Sequence, residues 1–305
     1  MTDVTQKLGL DIRPQSGWAG AEIHGVDISQ PLTDEETADI RAALLQWKVV
    51  FFRNQTLDHD AHLQFARSFG RPTPAHPLFD SIAEPGYPEI YPIFANRHKA
   101  RYDESGYDHA GWHADVTAAL NPPAASILRA DVIPPYGGDT QWSNAAAAYE
   151  GLSEPVKELI DGLRAVHQFR LPDSATDDYR DRHARRPLLT EHPVVRIHPE
   201  TGEKVLYVNP AFTRYIAGVA PFESRAILEL LYEQLGRAEY TVRFKWEPGS
   251  VAFWDNQGAV HLAPRDFQHL DVDRRLYRVT LVGDVPVGPD GRESVALDGE
   301  PFEAI

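Results

Sequence analysis

The sequence contains no cysteine. Disulfides, thiolate chemistry and Cys-ligated zinc or iron–sulfur centres are excluded with it. No apolar stretch approaches the roughly 18 residues of a membrane span. The opening "MTDVTQKLGLDIRP" lacks the apolar run of a signal peptide. Basic residues are in the minority: 30 Lys and Arg face 45 Asp and Glu, a net charge of −15. A surface this acidic repels phosphate backbones and argues against nucleic acid as a partner, and its ordinary role is solubility. No internal repeat and no clean linker interrupts the 305 residues. The expectation is a cytoplasmic enzyme or binding protein, one domain over 1–305, with neither nucleic acid nor membrane as partner.

What is present is ordinary globular material, 42% hydrophobic and 25% charged, in a chain long enough to bury a large core. "GAEIHGVDIS" alternates apolar and polar residues and predicts a strand. Thr33 and Glu36 form a capping-box pattern ahead of a helix carrying Ile40, Leu44 and Trp47 on one face. "VVFFR" reads as a buried strand. "LDHDAHLQFARSFG" predicts a helix closed by Gly70. From Arg71 to Gly111 periodicity disappears, and a loop of that length is commonly a lid or binding loop. "AASILRADVI" is a strand, and Gly137 and Gly138 turn into "DTQWS". "NAAAAYEGL" and "SEPVKELIDGLRAV" predict consecutive helices, the second starting at Ser153 with Pro155 in its first turn. Residues 168–190 read as a second irregular insert. "HPVVRIHPETGEKVLYVN" is a hairpin and "PFESRAILELLYEQL" an amphipathic helix. "YTVRFKW", "GSVAFWDN", "AVHL" and "RRLYRVTLVGD" are strands. The sum is a mainly β fold with helical decoration, a sandwich or barrel, with lids expected near 72–111 and 168–190.

The chemistry starts at "GWHADVT". A bare His-x-Asp, in a chain with 13 histidines, is commonly structural or solvated. On a strand edge, however, His113 and Asp115 share one face, because strand side chains alternate. "FWDNQGAVH" supplies a third group: His261 follows an apolar strand and a turn, and faces back toward the core. Two imidazoles and a carboxylate form the 2-His-1-carboxylate face of non-haem Fe(II) oxygenases, which leaves coordination positions open. Downstream, Arg274 and Arg278 lead into an apolar, β-branched strand. Arginines entering a buried strand need anionic partners, and their even spacing puts them on one face. Two anionic groups inside the fold are expected, held in the bidentate fashion that guanidinium favours.

"WHADVT", "GGDTQW", "WDNQGAVH" and "RRLYRVTLVGD", in this order, resemble the taurine dioxygenase/TfdA family of Fe(II)- and 2-oxoglutarate-dependent dioxygenases. The likeness runs from "GAEIHGVDIS" to "GDVP". It implies a double-stranded β-helix, or jelly roll, with His113, Asp115 and His261 as iron ligands and catalytic centre. It implies Arg274 and Thr140 on the distal carboxylate of 2-oxoglutarate, and O₂ as co-reactant. Arg278 and His76 match groups that hold the anionic end of the substrate, and Phe79, Val116 and Phe212 match pocket-lining positions. Asp115 stands where halogenating relatives have a small residue, so hydroxylation is implied. His109, four before His113, replaces an Asn that taurine enzymes carry near the substrate amine.

"TAALNPPAASILRADVIPPYGGDTQW", "HPVVRIHPETGE" and "RVTLVGDVPV" look closer to the alkylsulfatase-like members. The implied substrate is a small organic anion, an alkyl sulfate or sulfonate ahead of a carboxylate, aryloxy acid or amino acid. A homo-oligomer, dimer or tetramer, is the accompanying expectation. Two readings of another class stand beside this one. A cupin-like jelly roll could hold the metal without turnover, and a zinc hydrolase could use the same three ligands. Neither needs the second anion site that Arg274 and Thr140 imply.

Overall fold

The computed structural model describes residues 9–76, 82–94, 111–169, 171, 177–264, 266–267, 269–270 and 272–305. The chain opens with β1 (Asp11–Pro14), β2 (Ala21–His24), α1 (Asp34–Trp47), β3 (Val49–Phe52), α2 (His59–Arg67) and β4 (Tyr91–Phe94). It continues through β5 (Ala125–Val132), β6 (Thr140–Asn144), α3 (Ala145–Glu150), α4 (Glu154–Ile160), β7 (Arg164–Gln168), α5 (Asp177–Arg185) and β8 (Leu189–Pro193). Then come β9 (Val195–Ile197), β10 (Lys204–Leu206), β11 (Thr213–Ile216), α6 (Pro221–Leu235), β12 (Thr241–Phe244), β13 (Val251–Asp255), β14 (Ala259–Leu262), β15 (Arg275–Leu281) and β16 (Val295–Asp298). Among the described residues no helix is long and apolar enough to cross a membrane.

Seven strands form the large sheet, in the order β1-β2-β3-β13-β5-β15-β4. Smaller sheets have the orders β12-β6-β14 and β11-β7-β8-β16. The large sheet is covered on both faces, which explains its uninterrupted apolar strands. Val50 and Phe52 of β3, with Val251 and Phe253 of β13, pack beneath Ile40 and Leu44 of α1 and Leu63 and Phe65 of α2. Val49, Phe51, Ala252 and Trp254 point the other way, onto Trp142, Val242 and Phe244 of the three-stranded sheet. Phe51 stacks on Phe244 at 4.1 Å and meets Trp142 edge-on. These facing sheets are the jelly-roll layers the sequence implied.

Several elements match the sequence reading. Thr33 and Glu36 make both bonds of the capping box. The α6 helix has the limits of its amphipathic stretch, and β9 and β10 pair as the expected hairpin. Others do not. The α2 helix ends on Ser68, two residues before Gly70. The helix from Ser153 stops at Ile160, because Asp161 and Gly162 break it, and 164–168 is strand β7 instead. The stretch read as a patternless loop after Arg71 contains β4, paired on β15. The second insert contains α5 and the start of β8.

Candidate active site

His113 does not sit on a regular strand. It forms a single bridge with His261 of β14, closed by both backbone bonds: His113 N to His261 O at 2.9 Å and the reverse at 2.7 Å. That pairing sets the two imidazoles side by side, ring centroids 4.1 Å apart. The chain then turns sharply. Val116 has φ +48°, a conformation a β-branched residue adopts only under constraint, and such strain commonly marks a functional turn. It aims Asp115 back at the same point. Donor atoms of His113, Asp115 and His261 lie within 4.8 Å of one another. Asp115 and His261 are buried.

Each donor is prepared. His113 Nδ1 lies 2.8 Å from the Gly111 carbonyl. A carbonyl only accepts, so Nδ1 carries the proton and Nε2 keeps its lone pair. Burial holds His261 well below its usual range, and the neighbouring His113 adds to this. It is therefore a neutral imidazole, as a metal ligand must be. Burial pushes Asp115 up, but the Arg278 guanidinium, joined by the Ser126 hydrogen bond, holds the carboxyl at about 2. Both carboxylate oxygens are fixed: Ser126 Oγ donates to Oδ2 and Arg278 Nη1 to Oδ1, each at 2.6 Å. Asn256 accepts from the Asp115 backbone N–H and from Trp254, and donates to Ser126. Two imidazoles and a carboxylate converging on one point fit a divalent metal such as Fe(II).

A second feature lies at the start of β15. Arg274 is buried, 5% exposed. Its Nη2 donates to the Gly138 carbonyl at 3.0 Å, and its Nε has no partner among the described residues. The two nearest carboxylates are already engaged, because Arg243 bonds both Asp139 and Asp266. Burial pulls Arg274 down to about 10 despite those acids. Gly138 has φ +71°, and a Cβ there would stand 3.0 Å from Arg274 Nε, so glycine is what lets the backbone come this close. Thr140 is buried and accepts from Trp246 Nε1 at 3.0 Å. An indole only donates, so the threonine's own proton is left for another acceptor. A buried cation whose Nε has no partner, and a hydroxyl proton still to be placed, are what a bound carboxylate would satisfy.

The remaining expected residues fall around this centre. Arg278 faces Asp115, lies over the Tyr91 ring at 5.1 Å, and has an unpartnered Nε. Sequence spacing offered its guanidinium to an exogenous anion, and the structure shows half of it engaged with Asp115. His76 meets Tyr91 at 5.9 Å and Phe169 at 6.1 Å. Phe212 lies 6.5 Å from His113 and 6.1 Å from Phe169. Phe79 and His109 lie outside the described residues. Sequence reasoning missed Ser126, Asn256, Tyr91 and Phe169. Only Asn256 carried a signal, standing within "WDNQGAVH".

The taurine catabolism dioxygenase TauD, TfdA family model matches residues 11–280. The chain belongs to the TauD/TfdA family. It is 40% identical to an alpha-ketoglutarate-dependent sulfate ester dioxygenase of Pseudomonas putida, over 94% of each chain. It is 35% identical to an alkylsulfatase of Acinetobacter baylyi, over 92% of this chain and 88% of that one. A crystal structure titled as a taurine dioxygenase from Burkholderia xenovorans superposes with TM-score 0.85 at 55% identity, over 96% of both chains. This TauD/TfdA member is thus a 2-oxoglutarate-dependent non-haem iron dioxygenase of the jelly-roll type, using Fe(II), 2-oxoglutarate and O₂.

Proposed function

We propose that the protein hydroxylates the carbon next to the anionic group of an alkyl sulfate, and that His113, Asp115 and His261 hold its Fe(II). The observation that carries the site assignment is the convergence of those three donors beside a buried, incompletely paired Arg274. Similarity to a sulfate ester dioxygenase and an alkylsulfatase supports the substrate class. The bound iron supplies O₂ activation, with 2-oxoglutarate oxidised to succinate and CO₂.

The chain's own residues do the placing. Arg274 and Thr140 grip the distal carboxylate of 2-oxoglutarate by charge-assisted hydrogen bonds. Ser126 and Asn256 fix the Asp115 carboxylate so that it need not reorganise. Arg278 and His76 receive the sulfate, with Arg278 sharing its guanidinium between Asp115 and the substrate. Val116 and Phe212 bound the pocket with apolar surface. The product of such a hydroxylation, R–CH(OH)–OSO₃⁻, collapses to an aldehyde and hydrogen sulfate.

A structural relative titled for taurine points to a sulfonate instead. The apolar Val116 and Phe212 favour an alkyl chain over a zwitterion. We place the enzyme in the cytoplasm, where metabolism supplies 2-oxoglutarate, as a homo-oligomer. In support of the latter, exposed Tyr215, Phe222 and Leu230 lie on β11 and α6, which flank a groove of about 820 Å³. The test is a panel of sulfate esters, sulfonates, aryloxy acids and amino acids, scored for substrate-dependent succinate. Sulfate esters should lead, and Arg278→Ala should lower their kcat/KM. Turnover driven only by neutral or cationic compounds would overturn the anion pocket.

A further inference from the structure

A cavity of about 850 Å³ has none of the three donors His113, Asp115 and His261 in its wall. One wall is the segment 299–305. That segment is pinned to the body: Asn121 Nδ2 donates to the Phe302 carbonyl, and Phe302 N donates to Asn121 Oδ1 at 2.7 Å. Ile305 N donates to the Pro72 carbonyl. Phe302 packs on the cluster formed by Val116, Ala118, Ala119 and Leu188. That cluster includes Val116, the residue after Asp115.

His76 lines the same cavity. Its ring also meets Tyr91, which lies beneath the Arg278 guanidinium, and Phe169, which packs toward Phe212 and His113. The cavity wall thus includes two residues, His76 and Phe302, whose packing partners lead toward the three donors. Pro74, Pro88, Leu188 and Phe302 make much of its wall apolar. Its rim carries both signs of charge, Arg185 and Arg186 against Asp298, Glu300 and Glu303. An apolar wall whose rim holds more acids than bases suits an uncharged chain rather than a second anion.

We propose that Phe302 is a specificity-determining residue. With His76 and Leu188 it walls the compartment that receives the apolar tail of the substrate anion, and its ring limits the length of that tail. This rests on the organic-anion reading above. The anionic group sits at Arg278, and the tail runs past His76 into the cavity.

The test measures kcat/KM for butyl, hexyl, octyl and dodecyl sulfate with wild type, Phe302→Ala, Phe302→Leu and Phe302→Trp. Each further methylene that can be buried is worth about fourfold. Phe302→Ala should raise the long-to-short ratio by about tenfold or more, Phe302→Leu should raise it less, and Phe302→Trp should lower it. The KM for 2-oxoglutarate should hold in all of them. A merely structural role would lower all substrates alike and leave the ratio in place. A ratio unmoved in variants that melt like wild type overturns the proposal. If carboxylates or sulfonates of matching chain length drive succinate release instead of sulfates, the sulfate reading has failed. The length series is then run on that class, and Phe302 is judged separately.

Discussion

Arg274→Met should raise the KM for 2-oxoglutarate without weakening the unliganded fold. The guanidinium is 5% exposed, donates to Gly138 O, and leaves Nε without a partner. Burial pulls its pKa down to about 10, which corresponds to about 3 kcal/mol spent on keeping the charge inside. Methionine fills a similar volume and carries no charge, so the unliganded variant should unfold no more easily than wild type. Ligand binding should behave oppositely. Losing the partner of a buried carboxylate costs roughly 2–5 kcal/mol, or about thirtyfold to several-thousandfold in affinity. Thermal unfolding with and without 2-oxoglutarate reads both effects, since saturating ligand at about 100 Kd adds about 2.7 kcal/mol to wild type. Succinate release gives the KM. A variant with wild-type KM, or one that loses several kcal/mol without ligand as if an ion pair had been cut, would refute the reasoning.

Single His113→Ala, Asp115→Ala and His261→Ala substitutions should each abolish turnover while far-UV circular dichroism stays unchanged, and full activity in any two of them would dismiss the metal assignment. Ser126→Ala removes the donor to Asp115 Oδ2, so Fe(II) affinity, read by anaerobic titration, should fall about 10–100-fold. An unchanged affinity would make Ser126 mere packing. Burial holds the fully buried His62 and His192 near 3 in the native state. The unfolded chain takes up their protons below 6.5, so stability should be flat above about pH 7 and fall by about 1.4 kcal/mol per pH unit for each histidine below it. Urea midpoints at about pH 7 and pH 5 check this, and equal midpoints would count against neutral buried imidazoles.

Much of this was legible because local pattern and chemistry agreed. His113, Asp115 and His261 stand out since few uses need that trio in that order, and α6 announces itself by an uninterrupted amphipathic run from Pro221. Strand β4 hides because "YPIF" contains Pro92 and looks like loop. As the outer strand on β15 it tolerates the missing donor. The helix α4 was extended too far because Arg164 to Gln168 continues its composition, and only the pairing of β7 with β8 makes it strand. Ser126 and Tyr91 were invisible for another reason. Ser126 lies 11 residues from Asp115, Tyr91 meets Arg278 across a strand pair, and neither carries a local motif. Spacing suggests one strand face for Arg274 and Arg278, but Arg274 precedes β15 and the register shifts after Arg275; the bond from Arg278 to Asp115 spans 163 residues and depends on the turn at Val116.

The most direct test follows octyl sulfate turnover with Fe(II), measuring succinate and inorganic sulfate together. The account predicts one succinate per sulfate, with both requiring 2-oxoglutarate and O₂ and both lost in His113→Ala. Sulfate released without 2-oxoglutarate consumption would contradict it, and would make the same three ligands the centre of a hydrolase.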